Sequence, residues 1–159
     1  RLSILLNSLS NMDPLHSSVD ARLKKYIIIT SISLFIISLT QKCYCTTSEC
    51  GDSIMAFLLG WAALLSGGAG ISWLANPLLF ASWIILKKNL KLAMFLSVAA
   101  ILLSLSFLMF DTVIANEAGQ KHQIIAYKMG YWLWMGSNMV MLLGTFVLML
   151  RHNTRLAKS

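Results

Sequence analysis

The residues with the most distinctive chemistry are three closely spaced cysteines, Cys43, Cys45 and Cys50. Thiols at such spacing can bind a soft metal, exchange disulfides or close a structural bridge. A membrane disulfide oxidoreductase needs a C-x-x-C pair and usually a second pair in another loop, and the sequence has neither. Metal capture would recruit His122 as a fourth ligand, but a thiol trio without a definite fourth donor assigns no metal. A structural disulfide is the expectation. Direct bridging of Cys43 to Cys45 is strained, so Cys50 pairs with one of them and one thiol is spare. His16 and His152 fall in tails and suggest no Ser/His/Asp constellation. Gly67, Gly68 and Gly70 precede no Lys-Ser/Thr, so they form no phosphate loop. No catalytic residue and no cofactor is assigned, and the chain is read as a non-enzyme.

The elements around these residues follow from composition. Of 159 residues, 57% are hydrophobic and 12% charged, against about 45–50% apolar and about 25% charged in soluble domains. Mean hydropathy is +0.71, and the apolar residues come in long blocks. A soluble enzyme and a disordered chain are both excluded on these grounds. The expected fold is an all-α integral membrane protein, with four transmembrane helices in an up-down bundle over residues 26–41, 54–86, 92–110 and 129–150. The first span reaches only about 24 Å at 1.5 Å per residue and needs Lys24 and Lys25 to snorkel. It reads as an uncleaved signal anchor, because no A-x-A-like site follows it. Residues 1–25 are expected in the cytoplasm. Residues 1–11 precede the first methionine, Met12, and are expected to lie outside the native start, so they carry no functional weight. Residues 151–159 form a basic cytoplasmic tail.

Ten of the 13 Lys and Arg residues flank span ends on one side, and Lys42, Lys121 and Lys128 lie on the other. By the positive-inside rule the ten mark the cytoplasm, so both termini lie there. The basic balance then serves topology and anionic lipid, and the loops are too short to build a nucleic-acid surface.

The second span, about 50 Å as one helix, exceeds a hydrocarbon core of about 30 Å and must tilt, kink or break. Two loci invite a break: the Gly67–Gly70 cluster, and Asn76-Pro77, read as an N-cap followed by proline at the first helical position. Proline frees the carbonyl of Trp73, which needs a new donor such as Asn76. Ser53, Ala56, Gly60, Ala63, Gly67 and Gly70 recur at steps of three and four, as do Ala93, Ser97, Ala100 and Ser104. Small residues at that spacing let helices approach closely in lipid, so these stripes predict that helices two and three are antiparallel neighbours. Gly130, Ser137 and Gly144 form a weaker stripe. Asn138 is expected to hydrogen-bond across a helix interface, Asp111 to pair with Lys128, and Trp83, Tyr131, Trp132 and Trp134 to form interfacial belts.

Gly60-Trp61 followed by Trp73-Leu74-Ala75-Asn76-Pro77-Leu78-Leu79, behind a short cysteine-bearing loop, resembles a loosely defined group of small bacterial inner-membrane proteins. The resemblance implies a bacterial cytoplasmic membrane and no activity. No ionisable residue lies deep in a span, which argues against a proton-coupled carrier. The leading expectation is therefore a protein that works by association, as an accessory subunit, an immunity-type membrane protein or a homo-oligomer. The alternatives are a small oligomeric channel or carrier with Asn76 and Asn138 near its path, and a thiol or metal site in the first outer loop.

Overall fold

The computed structural model describes residues 2–64, 68–114 and 121–157, with side chains from residue 18 onward and at all of these positions except Ile114. The order of elements is α1 (Leu2–Leu39), β1 (Lys42–Thr46), β2 (Cys50–Asp52), α2 (Ser53–Ala63), a 3-10 segment (Gly68–Leu74), α3 (Ala75–Ile85), α4 (Leu90–Ser106), a 3-10 turn (Phe107–Met109), β3 (Thr112–Ile114), β4 (Lys121–Tyr127) and α5 (Met129–Leu156). Among the described residues, three stretches are long and apolar enough to cross a membrane: Gly68–Ile85, Leu90–Met109 and Met129–Leu156, with mean hydropathies of 1.3, 2.4 and 1.7. The helix α1 is not one of them. Its apolar run begins at Tyr26, directly after Arg22, Lys24 and Lys25, and ends at Leu39.

The all-α expectation needs correction. Segments expected as plain loops pair into a four-stranded antiparallel sheet of order β2-β1-β4-β3. Cys45 stands opposite Cys50 between β1 and β2, and Tyr44 opposite Tyr127 between β1 and β4. The strands have three to seven residues, too short for alternation to announce them. Edge-on pairing of two distant segments satisfies the backbone groups of both.

Below the sheet the long helices run up and down. Ser31 meets Ser137 and Asp20 meets Arg155, so α1 and α5 are antiparallel. The turn Leu86–Asn89 reverses the chain between α3 and α4, and the Asn89 side chain caps α4 by accepting from the Leu92 N–H at 3.1 Å. Leu79, Leu86 and Met141 are fully buried at the centre, with Ile27, Phe35 and Leu148 around them.

The long second segment is broken at its glycines. Helix α2 stops at Ala63, Gly68 adopts φ +63°, and the 3-10 segment runs back along α2. Positive φ is open to glycine at little cost and strained for other residues. A Cβ on Gly60 would collide with Trp73, and one on Gly70 with the Ala63 carbonyl. The closest approaches of Gly60 and Gly70 are therefore to Trp73 and Ala63 within this segment, not to α4 as the stripe predicts; the expected antiparallel pairing of the second and third helices is made instead by α3, with the 3-10 segment beside it, against α4. Gly67 lies outside the described residues. Ala93, Ser97, Ala100 and Ser104 are all fully buried where α4 packs against α3 and α5.

Candidate functional site

The sheet end of the bundle holds a partly open cavity of about 360 Å³ between the end of α1, β1, α2, the 3-10 segment, β3 and the start of α5. Eight of its 24 lining residues are aromatic, Thr112 and Lys121 line it as well, and the polar tips of several of the aromatic residues are tied down. Trp73 Nε1 donates to the Phe57 carbonyl at 2.8 Å and Trp134 Nε1 to Asn76 Oδ1 at 2.8 Å. Asn76 Nδ2 donates to the Trp73 carbonyl at 3.1 Å, the group that Pro77 leaves without its usual donor. Tyr131 donates its hydroxyl to the Ser104 carbonyl at 2.9 Å. Ala56, Gly60 and Ala63 line the α2 wall, where side chains this small leave room. Ser53 also lines the cavity; it is 8% exposed, and its hydroxyl lies beside the Cys43 thiol and packs against the Gly130 backbone.

Cys43 is buried against the cavity, and its thiol donates to the Gly51 carbonyl at 3.3 Å. Burial pushes this thiol upward from its ordinary value, only partly opposed by neighbouring backbone amides and the Ser53 hydroxyl. Burial, with smaller contributions from Cys43 and Glu49, pushes Tyr44 up to about 12. A neutral buried thiol is a poor nucleophile. The nearest approach to a nucleophile and base is Ser48 Oγ to His122 Nδ1 at 2.6 Å. That pair is exposed, and among the described residues no carboxylate orients the ring.

The structure joins Cys45 to Cys50 in a disulfide between β1 and β2 and leaves Cys43 free. Among the described residues no cluster of three His, Cys, Asp or Glu could hold a metal. Asn76 and Pro77 lie in the first turn of α3, which begins at Ala75 after Leu74 as N-cap. Asn76 is thus inside the helix and not its cap. Asn138 is fully buried, but its Nδ2 donates within its own helix to the Trp134 carbonyl at 3.0 Å and its Oδ1 has no partner, contrary to the expected interhelical bond. The cavity takes in Asn76 and not Asn138. Among the described residues Asp111 and Lys128 form no ion pair; Lys42 and Asp52 do, at 2.7 Å. Trp83, Tyr131 and Trp134 turn inward to hydrogen bonds, while Trp132 stays 51% exposed.

Sequence reasoning missed the clasp at mid-bundle. Ser31 Oγ donates to the Ser137 carbonyl at 3.0 Å and Ser137 Oγ to the Ser31 carbonyl at 2.8 Å, while Trp83 Nε1 donates to Ser31 Oγ at 2.9 Å. Three helices meet there. The only signal was a serine in each apolar span, and nothing in a single span identifies its partner. Comparison with protein-family models, with curated proteins and with solved structures finds no match to this chain.

Proposed function

We propose that this chain is a four-span integral membrane protein of a bacterial cytoplasmic membrane, with both termini inside, that works without catalysis by associating with another membrane protein. In this reading α1 is the fourth span, its short apolar run extended by snorkelling of Lys24 and Lys25. The basic ends of α1, α5 and the Leu86–Asn89 turn then face the cytoplasm, and the sheet is the outer head. The observation that carries the reading is the β1–β4 pairing, which unites both outer loops in one disulfide-braced platform. Ile125 stands on that platform 63% exposed. The intramembrane amides and hydroxyls are largely spent on packing, which favours a scaffold over a conduit.

The test is a photo-crosslinking residue at Ile125, with the same residue at the lipid-facing Ile84 as control. A discrete adduct from Ile125 alone, with reconstituted vesicles remaining tight to small solutes, supports association. Solute flux that vanishes in Asn76→Leu would replace it with the carrier reading. Loss of an activity, rather than of stability alone, when Cys43, Cys45 and Cys50 all become serine would favour a thiol or metal site.

A further inference from the structure

We infer that the recess between the basic ends of α1 and α5 and the α3–α4 turn is a binding site for the phosphate of an anionic phospholipid. The inference rests on the orientation in the preceding reading, which sets this end at the inner leaflet. Four cationic side chains from these three elements line the recess: Lys24 and Lys25 from α1, Lys87 from the turn and Arg155 from α5. One carboxylate, Asp20, shares it and is already engaged by guanidinium groups, with Arg155 Nη1 at 2.7 Å and Arg151 Nε at 3.6 Å. Arg155 is thereby held in place, and the three lysines have no ion-pair partner among the described residues. Lysines gathered on one recess repel one another, and a phosphate entering among them turns that repulsion into attraction. Their charges sit on flexible stems with rotatable donors, which adjust to an oxyanion. A second observation separates a lipid from a free phosphate. One helical turn nearer the middle of the bundle stand Ile29, four residues after Lys25 on the same face of α1, and Ile84, three residues before Lys87, at 47% and 68% exposure. Open apolar side chains beside a cationic recess match acyl chains beside their headgroup, the arrangement by which basic pockets between membrane helices hold anionic lipid.

The test uses the full chain in nonionic detergent micelles at physiological ionic strength, where exposed charges farther apart than about 8 Å are largely screened. Native mass spectrometry counts the lipid retained as phosphatidylglycerol or phosphatidylcholine is titrated in. The native chain should retain phosphatidylglycerol at a half-saturating concentration on the order of 100-fold below that of phosphatidylcholine, at about fivefold for each lysine. The triple change Lys24→Gln, Lys25→Gln and Lys87→Gln should reduce that preference to within about threefold. Arg22→Gln, Lys88→Gln and Lys91→Gln together remove as many charges from the same end but outside the recess, and should leave the preference in place. Arginine at positions 24, 25 and 87 keeps the charge and should keep the preference, which separates lost charge from lost folding. Glycerophosphoglycerol, the headgroup without its chains, should not displace the lipid even in large excess. The site is overturned if both glutamine triples weaken binding alike, if the arginine triple binds no better than the glutamine one, or if the native chain holds both lipids equally. Displacement by glycerophosphoglycerol would assign the recess to a soluble phosphate and overturn the lipid. Micelles have no sides and hold no partner protein, so failure here is distinct from failure of the orientation or of the Ile125 crosslink.

Discussion

Gly144 on α5 is in close contact with Ile27 on α1. A Cβ at position 144 would lie 2.6 Å from two carbons of Ile27 and 2.7 Å from a third, where carbon atoms prefer about 3.5–4.0 Å. Ile27 is only 7% exposed and β-branched, so it has little freedom to turn aside. Gly144→Ala should therefore push the two helices apart by about 1 Å, at a cost of about 1–3 kcal/mol for overpacking, offset by about 1 kcal/mol of helix propensity. Ile27→Ala alone should cost about 2–5 kcal/mol as a cavity. Together the two changes must cost less than their sum, because the three crowded carbons are those that Ile27→Ala removes, and the new methyl fills part of the void. The coupling should be about 1–3 kcal/mol, measured by unfolding the four variants with sodium dodecyl sulfate in mixed micelles and following tryptophan fluorescence. Additivity within about 0.3 kcal/mol, or a Gly144→Ala variant more stable than the native chain, would refute the α1–α5 contact and with it the pairing of first and last helices.

Further outcomes follow from other contacts. Ser31→Ala and Ser137→Ala should each cost about 0.6–1.7 kcal/mol and be non-additive in the same assay, since their hydroxyls also meet each other at 2.9 Å. Asn76→Leu loses both the acceptor for Trp134 and the donor to Trp73 and should cost about 2–4 kcal/mol, with a red shift of the tryptophan emission. Iodoacetamide at pH 8 should leave the folded chain unlabelled, add one label after denaturation without reductant and three after reduction, counted by mass. Folding holds the protons of Cys43 and Tyr44 more tightly than the unfolded chain does. The stability they contribute is thus fully present below pH 9 and lost as pH rises, through the raised Cys43 value and then through about 12 for Tyr44. Denaturation midpoints read from pH 7 to 11 should fall at the alkaline end, and Tyr44→Phe should flatten the steepest part.

Apolar blocks and basic flanks are one-dimensional signals, because the length of an apolar run and the position of a charge are properties of a segment by itself. They sufficed to locate the stretches that became α3, α4 and α5, the break near Gly67–Gly70 and the freed Trp73 carbonyl that Asn76 recovers. Sequence composition also sufficed to expect a disulfide at Cys50. What the small residues touch is a different kind of fact. Gly60, Ala63 and Gly70 show that something must approach closely, but only the fold-back at Gly68 decides that it is the same segment rather than α4. The sheet, the choice of Cys45 over Cys43 as partner, the Ser31–Ser137–Trp83 clasp and the cavity beside Ser53 all join residues remote in the chain or depend on the register between strands. Such pairings are decided when helices of given tilt and width pack together, because a short strand or a single serine has many chemically equivalent partners until packing leaves one of them within reach.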